Sequence, residues 1–336
     1  MNVLLTGGMG YIGSHTALSL IENGHDVTIL DNLSNSSASV LQKIKSITSV
    51  QPNFVECDIL ETNLLKKSMQ KFNIDSVIHL AGLKAVGESV LNPMTYFKNN
   101  VQGTLSLLEA MQSCNITLLV FSSSATVYGT PKYLPLNESH PTNPCNPYGN
   151  SKFLIEKILT DVANSNKFWN IITLRYFNPV GSHESGLIGD NPNGIPNNLM
   201  PYINQVAANQ LPFLNVYGDD YETPDGTGIR DYIHVEDLSE AHLAALMSIG
   251  SSAKSDQSYI NTFNVGTGVG YSVLDLLKTF ENINKVEIPY KITPRRKGDI
   301  AVCYSDPTKA NNELKWHASR TLEDMCRSAW NFQKKN

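Results

Sequence analysis

Several features that would place the chain in a common class of protein are missing from its sequence. No apolar run approaches the roughly 18 consecutive residues that a membrane-spanning helix needs. The 336 residues carry a net charge of -5, so basic side chains are not in the excess that a nucleic-acid surface requires. Internal repeats and low-complexity tails are absent too. We therefore expect neither a membrane nor a nucleic acid as a partner.

Cysteine is also scarce, and its pattern excludes two further classes. The five cysteines are scattered, odd in number and without a C-x-x-C pair: Cys57, Cys114, Cys145, Cys303 and Cys326. This pattern argues against a disulfide framework and a zinc site, and no His, Cys or carboxylate spacing suits another metal. The first predicted strand begins at residue 2, which argues against a signal peptide. We expect reduced thiols, no bound metal and a cytoplasmic location.

The informative part of the sequence begins at its N-terminus. Asn2–Thr6 is a short apolar run typical of a buried strand in a parallel sheet, and glycines follow at positions 7, 10 and 13. A helical pattern then runs to Asn23 and Gly24, where glycine suits a left-handed helix cap. A second apolar strand stops at Asp31. This order of strand, glycine loop, helix, strand and acid predicts a dinucleotide site.

The chemistry of such a site explains each part of the pattern. Glycine lets the backbone approach a pyrophosphate, and the helix N-terminus presents free N–H groups and a positive dipole end to it. The carboxylate of Asp31 would accept hydrogen bonds from the adenosine ribose and would repel a 2′-phosphate, which favours NAD over NADP. Glycines alone would also fit any tight strand–helix turn. The strand, helix and terminal acid together favour the dinucleotide.

The alternation of strands and helices through the first half predicts βαβ units on a parallel sheet. Beyond Phe177, Gly, Pro and Asn become frequent and the loops lengthen. We expect an α/β fold: a Rossmann-type doubly wound parallel sheet over residues 1–177, and a smaller loop-rich α/β lobe over 178–336. Some later segments are free to return to the first domain. A long helix from Pro93 through Met111 and a Ser-rich surface loop at 250–258 are also predicted.

Catalytic groups are predicted on a later helix and at a strand end. Tyr148 and Lys152 stand four residues apart, so they share one helix face. A free tyrosine, with a pKa near 10, is a poor base at neutral pH, and a nearby positive charge favours its phenolate. Ser124 lies at the C-terminal end of a predicted parallel strand, where such sheets hold ligands. An isolated Tyr–Lys pair on a helix surface is commoner, but the cofactor site and the serine-rich strand end favour catalysis.

At this point the chain resembles the extended short-chain dehydrogenase/reductases along its whole length, and within them the UDP-glucose/UDP-galactose 4-epimerases. The motifs that carry the resemblance are TGGMGYIGSHT (6–16), AGLKAVGES (81–89), SSSATVYG (122–129), NPYGNSK (146–152), LRYFNPVG (174–181), GIPNNLMPY (194–202), DGTGIRDYIHVEDL (225–238) and PRRKGD (294–299).

The resemblance implies a reversible inversion at sugar C4. Tyr148 would take the proton of the 4-hydroxyl while hydride leaves C4 for a tightly held NAD; the 4-keto sugar would then turn over and receive the hydride on its other face. Lys152 would tune the base and reach the nicotinamide ribose, and Ser124 would assist. The cofactor residues expected are Gly7, Gly10, Tyr11, Ile12, Gly13, Asp31, Asn32, Asn35, Ser36, Asp58, Ile59, Leu80, Ala81, Gly82, Lys84, Asn99, Ser122, Tyr148, Lys152, Tyr176 and Phe177.

The resemblance also assigns the UDP-sugar to the second lobe. The substrate residues expected are Ser124, Tyr148, Asn178, Asn198, Leu199, Tyr217, Arg230, Tyr232, Arg296, Asp299 and Cys303. The two arginines match a pyrophosphate clamp, because guanidinium groups bind phosphate oxygens bidentately. Solvated surface charge is the ordinary alternative, above all for the run Arg295–Lys297. Arg230 lies in a Gly-rich segment with few other charges, which favours binding.

Two departures from the family pattern bear on the site. Gly82 replaces an alanine that many extended members carry, which gives the cofactor more room. Cys303 stands where epimerases restricted to plain glucose and galactose often carry a tyrosine. A small side chain there leaves space for an N-acetyl group, so the sequence predicts that UDP-GlcNAc and UDP-GalNAc are also interconverted.

Rival functions remain within reach of the same fold. A nucleotide-sugar 4,6-dehydratase commonly carries an Asp-Glu pair after the strand-end threonine, whereas Thr126 is followed by Val127 and Tyr128. A non-catalytic dinucleotide sensor would not need Ser124, Tyr148 and Lys152. His79 and His234 are interpreted as packed histidines, not as acids or bases. The resemblance further implies a homodimer formed through helices near 93–111 and 148–166.

Overall fold

A computed structural model describes residues 1–192, 194, 196, 198–252, 258–296 and 298–336. The strands in chain order are β1 (Asn2–Thr6), β2 (Asp26–Asp31), β3 (Asn53–Glu56), β4 (Ser76–His79), β5 (Leu118–Ser124), β6 (Asn170–Tyr176), β7 (Asn178–Val180), β8 (Leu214–Tyr217), β9 (Ile229–Arg230), β10 (Tyr232–His234), β11 (Tyr259–Val265), β12 (Tyr271–Ser272), β13 (Tyr290–Thr293) and β14 (Val302–Cys303). The α-helices are α1 (Tyr11–Glu22), α2 (Ser39–Thr48), α3 (Thr62–Lys71), α4 (Val86–Leu91), α5 (Pro93–Tyr96), α6 (Gly103–Ser113), α7 (Pro147–Ser165), α8 (Leu199–Ala207), α9 (Val235–Ser252), α10 (Val273–Asn284), α11 (Thr308–Glu313) and α12 (Leu322–Lys335).

The largest sheet confirms the predicted Rossmann-type topology. Its seven strands lie in the order β3-β2-β1-β4-β5-β6-β11, and all the neighbouring pairs are parallel. The order reverses between β1 and β4, and ligands of such sheets bind in the crevice at that point, outside the carboxyl ends of the strands.

The alternation of side chains along each strand explains why helices cover both faces. Val3 and Leu5 of β1 belong to one buried cluster with residues of α1 and α9, whereas Leu4 belongs to a second cluster with residues of α3, α6 and α7. All three side chains are fully buried. A strand that is covered on both sides needs apolar residues on both faces, which Val3, Leu4 and Leu5 provide.

The helix predicted from Pro93 through Met111 is interrupted. It consists of α5, a π-helical segment at Phe97–Gln102, and α6. The side chain of Asn100 in this segment accepts a hydrogen bond from Leu83 N at 2.8 Å and donates to Ser151 Oγ at 3.0 Å. The segment thus connects the loop after β4 with the helix that carries Tyr148. Helical periodicity in the sequence does not reveal these long-range bonds.

The second lobe is built from short strands and three packed helices. Strands β7 and β10 pair, as do β8 and β13, and β9 lies between β12 and β14. Helices α8, α10 and α12 share a separate buried cluster that includes Ile203, Phe280 and Met325. Between α9 and β12 the chain returns to the large sheet through β11, and the division at residue 177 stays a prediction.

The structure also bears on two other predictions, the Ser-rich loop at 250–258 and the lack of a membrane-spanning helix. Residues 250–252 form the end of α9 instead of beginning a surface loop, and 253–257 lie outside the described residues. Within the ranges given above, no helix is long and apolar enough to cross a membrane.

Candidate active site

A cavity of about 570 Å³ opens at the carboxyl ends of β1, β2, β4 and β5. Most of the predicted cofactor residues line it: Gly7, Gly10, Tyr11, Ile12, Gly13, Asp31, Asn32, Asn35, Ser36, Ile59, Leu80, Ala81, Gly82, Lys84, Asn99, Ser122, Tyr148, Lys152 and Tyr176. Asp58 and Phe177 do not. Asp58 accepts a hydrogen bond from the side chain of Asn32 at 2.8 Å, and Phe177 is packed in a buried cluster with Cys303. Their contact with a cofactor stays a prediction.

The glycine loop is closely packed as well as permissive. Gly7 adopts a positive φ of 70°, and a Cβ there would lie 2.8 Å from Ala81 N. A Cβ on Gly13 would lie 2.2 Å from Gly7 O, so α1 can approach the loop only because this residue is glycine. Gly10 caps α1 without a side chain, which leaves amide groups of the first turn for a ligand.

Asp31 is fixed by the loop that it faces. Its carboxylate accepts hydrogen bonds from Met9 N at 3.0 Å, Leu33 N at 2.9 Å and Ser36 Oγ at 2.9 Å. The side chain lies at the cavity and is otherwise buried. The carboxylate retains lone pairs for ribose hydroxyls, and a ligand phosphate in the same place would be repelled. The residues present therefore fit NAD.

Lys152 of α7 is buried, and its side chain lines the cavity. Its Nζ donates to Ser122 O at 2.8 Å and lies 4.9 Å from the centre of the Phe121 ring. Burial lowers the pKa of Lys152 to about 8, although the charge of Glu156 acts in the opposite direction. The ammonium is still mostly protonated at pH 7.

Tyr148 lines the cavity, and Ser124 lies beside it at the end of β5. Burial raises the pKa of Tyr148, and a hydrogen bond with Ser124 offsets part of the rise. Ser124 Oγ accepts from Thr126 N at 3.2 Å and from Thr126 Oγ1 at 3.0 Å. Both acceptor positions of this hydroxyl are used, so its own proton is free to donate, and a bond donated to the phenol oxygen would lower the pKa of Tyr148 in the way described. The predicted effect of a nearby positive charge on the pKa of Tyr148 stays a prediction.

The structure gathers a second group of predicted residues beside β9. Arg296 lies over the ring of Tyr217, 4.8 Å from its centre, and donates to Asp299 at 2.9 Å. Arg230 Nη1 donates to Ile229 O at 2.8 Å, and Arg230 pairs with Cys303 in the register of β9 with β14.

This group also includes residues that the sequence analysis did not single out. Arg295 lies over the ring of Tyr221, 4.0 Å from its centre. Burial and then Asp299 raise the pKa of Tyr221, while the charges of Arg295, Arg230 and Arg296 oppose the rise. Arg295 pairs with Asp220 at 2.6 Å. Lys297 of the same basic run lies outside the described residues.

The remaining substrate candidates are found in strands β7 and β10 and at the start of α8. Asn178 and Tyr232 face each other in the register of β7 with β10. Asn198 caps α8, which Leu199 begins, and the side chain of Asn198 donates to Asp190 at 3.5 Å. Of all the predicted substrate residues, only Tyr148 lines the large cavity. Substrate contacts of the others stay predictions.

Part of the cavity wall was missed by the sequence analysis. Leu187–Pro192, Lys43 of α2 and Phe332 of α12 line it together with the predicted residues. Phe332 follows the apolar periodicity of a helix, which gives no sign of a cofactor. Only the tertiary structure brings these three parts together.

The interpretation of the histidines as packed is confirmed. His79 bonds to Thr6 at 2.8 Å and to Thr104 at 3.0 Å, and burial lowers its pKa to about 3. His234 is equally buried, and burial lowers its pKa to about 3. Among the residues described, no group of three or more His, Cys, Asp or Glu side chains could hold a metal ion.

Such a sheet with a glycine-loop cavity and an adjoining Ser–Tyr–Lys set defines an extended short-chain dehydrogenase/reductase. The family model described as GDP-mannose 4,6 dehydratase matches residues 4–329. The UDP-glucose 4-epimerase of Pasteurella multocida is 54% identical over 337 residues, which cover 100% of this chain and 98% of that protein.

Two solved structures of UDP-glucose 4-epimerases are also similar to this chain along its whole length. The UDP-glucose 4-epimerase of Stenotrophomonas maltophila, with bound NAD and formylated UDP-arabinopyranose, has a TM-score of 0.97 at 50% identity and covers 100% of this chain and 98% of its own. That of Bifidobacterium longum, in complex with NAD+ and UDP, has a TM-score of 0.95 at 49% identity, with 100% and 99% covered. The chain belongs to the UDP-glucose 4-epimerase family, as its motifs predict.

Proposed function

We propose that the chain is an NAD-dependent UDP-glucose/UDP-galactose 4-epimerase of the cytoplasm. The observation that carries the proposal is that Tyr148 and Lys152 both line the glycine-loop cavity and that Ser124 forms a hydrogen bond with Tyr148. NAD, when bound, supplies the hydride acceptor and donor for sugar C4. Tyr148 would take the proton of the 4-hydroxyl and return it, and Ser124 would hold the sugar oxygen. Dehydratase chemistry lacks its carboxylates, because Thr126 is followed by two buried apolar and aromatic residues.

The arginine group beside β9 supports the choice of a diphosphate substrate. The charges of Arg230, Arg296 and Asp299 all act on Tyr221, and Tyr217, whose ring Arg296 covers on one side, is partly exposed. Guanidinium groups bind phosphate oxygens, and an aromatic face can stack on the nucleotide's uracil ring. These residues would anchor the nucleotide while the sugar turns.

The test is turnover of UDP-galactose by wild type and Tyr148→Phe, with Tyr133→Phe as the matched control. Tyr133 is an exposed tyrosine whose hydroxyl bonds to Asn137. Loss of the general base is expected to reduce kcat by about 10²–10⁴-fold, whereas the control should match wild type. Full activity of Tyr148→Phe would refute the assignment. Retained NAD without turnover of any UDP-hexose by wild type would favour the sensor.

We further propose that the acetylated sugars UDP-GalNAc and UDP-GlcNAc are substrates. Cys303 is small, adjoins Arg230 in the β9–β14 register and packs in one cluster with Phe177. A tyrosine there would fill the space of a 2-acetamido group. Cys303→Tyr is expected to keep turnover of UDP-galactose and lose that of UDP-GalNAc, and Cys303→Ser should keep both. Full turnover of acetylated sugars by Cys303→Tyr would remove the steric argument.

A homodimer is proposed through the helices that the resemblance indicates. Met94 of α5 is 78% exposed, and Leu105 of α6 and Leu154 of α7 are each 42% exposed, although all three are apolar. A second copy would bury them. Leu105→Glu should shift the mass in sedimentation equilibrium toward the monomer, whereas Val50→Glu, at a residue 50% exposed elsewhere, should not. An unchanged dimer in Leu105→Glu, or a monomeric wild type, would contradict this interface.

A further inference from the structure

One wall of the dinucleotide cavity is built by parts of the chain that are far apart in sequence. Phe332, near the end of α12, lines the cavity together with Lys43 of α2 and with Leu187–Pro192. Phe332 is 3% exposed. The end of α12 therefore contributes directly to the place where the cofactor is proposed to lie.

The end of α12 is bonded to the loop that precedes this wall. Asn331 Nδ2 donates to Glu184 O at 3.0 Å, and Lys335 Nζ donates to Ser185 O at 2.8 Å. Asn336 Nδ2 donates to Gly186 O at 3.1 Å. Three successive carbonyl groups are thus bound by side chains of one helix end. We name residues 331, 332, 335 and 336 the α12 clasp.

Packing joins the clasp to both sides of the wall. A Cβ on Gly189 would lie 2.5 Å from Phe332 Cγ, so the loop rests directly on the aromatic ring. Lys43 Nζ donates to Asn336 Oδ1 at 3.0 Å and lies 5.9 Å from the centre of the Phe332 ring. Opening the wall requires loss of these contacts and exposure of a buried phenylalanine.

The other face of α12 belongs to the second lobe. Leu322, Met325 and Ala329 are part of the buried cluster formed with α8 and α10. The segment just before this loop is also bound to the start of α1, because Tyr11 Oη donates to Gly181 O at 2.7 Å. The clasp therefore connects the substrate lobe with the wall of the cofactor cavity.

We infer that the α12 clasp retains the dinucleotide between turnovers, with Phe332 as its central residue. This inference rests on the proposal that NAD is the cofactor. Hydride returns to the same cofactor in an epimerase, so slow release is useful to the reaction. The wall that Phe332 and the 184–189 loop form must separate from α2 before the ligand can leave by this side.

The test measures release of NAD from the purified full-length protein. Samples are passed into NAD-free buffer, and the NAD that remains bound is determined enzymatically after heat denaturation, over time. Phe332→Ala is expected to release NAD at least tenfold faster than wild type, and Phe332→Tyr, which keeps the ring, should remain close to wild type. Arg327→Ala is the control on the same helix, because its ion pair with Asp324 is exposed and local.

Lys335→Ala provides a second test that leaves the buried ring in place. Its side chain only donates to the loop, so faster release in this variant would support the clasp even if Phe332→Ala failed to fold. Release at the wild-type rate in folded Phe332→Ala, or in Lys335→Ala should the former not fold, would overturn the inference. NAD retained by wild type without turnover would instead refute the epimerase proposal alone.

Discussion

Removing the charge of Glu156 should destabilise the protein strongly, because its partner Arg175 is buried with it. Glu156 lies on α7, one turn after Lys152. Arg175 of β6 donates to both carboxylate oxygens, at 3.0 Å from Nε and 2.6 Å from Nη2. Ser123 Oγ donates to the same carboxylate at 2.5 Å. The pair thus ties α7 to β5 and β6 behind the proposed catalytic residues.

The expected magnitude follows from the charge left behind. Breaking a buried pair by removal of one partner costs about 3–5 kcal/mol, because the other charge stays uncompensated. Glu156→Gln keeps the shape and one acceptor, so we expect a loss of about 3 kcal/mol, at the low end of that range. Arg175→Met should cost a similar amount, since it strands the carboxylate. The double variant should lose clearly less than the sum of the two, because neither charge is then left unpaired.

The assay is urea denaturation of the four proteins at saturating NAD, followed by the midpoint and slope of the transition. Arg327→Met serves as the matched control. Its ion pair with Asp324 is exposed on both sides, so the loss should be below about 1 kcal/mol. A loss in Glu156→Gln no larger than that control, or strict additivity in the double variant, would refute the reasoning.

Two further predictions concern the glycine loop and acid stability. Gly13→Ala should abolish NAD retention or folding, since its Cβ would meet Gly7 O at 2.2 Å, whereas Gly10→Ala, with 3.4 Å to the same atom, should fold; equal behaviour of both in a thermal shift with NAD would contradict this. Burial lowers the pKa of His79 to about 3 and of His242 to about 4, below the unfolded value near 6.5. The folding stability that depends on these two histidines staying neutral is present above pH 6.5. It is lost as the pH falls toward their folded-state pKa values, by about 2 kcal/mol each at pH 5. A urea midpoint unchanged between pH 7.5 and 5 would contradict the second prediction.

The parts of the site that were predictable are those that lie close together in the sequence. The glycine loop, the helix after it and Asp31 form one continuous βαβ unit, so their pattern specifies their geometry. Tyr148 and Lys152 share a helix face for the same local reason. The parallel order of the strands follows from apolar runs that are separated by helices.

The parts that were not predictable depend on long-range contacts. Lys43 and Asn336 are 293 residues apart in the sequence and yet form a hydrogen bond, which nothing in the local sequence around either residue indicates. Strands β9, β12 and β14 contain two residues each, which is too short for a period of two to be recognised. The π-helical segment at Phe97–Gln102 follows from the bonds of Asn100 to two other elements.

The electrostatics of Tyr148 connect these observations with the reaction. Burial raises the pKa of the phenol, and its hydrogen bond with Ser124 offsets only part of that rise. Lys152, with a pKa of about 8, is mostly charged at pH 7, yet its Nζ is bound to Ser122 O. A positive charge close to a phenol favours its phenolate, so a bound nicotinamide cation would add to the effect that is predicted for Lys152 and help Tyr148 to act as the base.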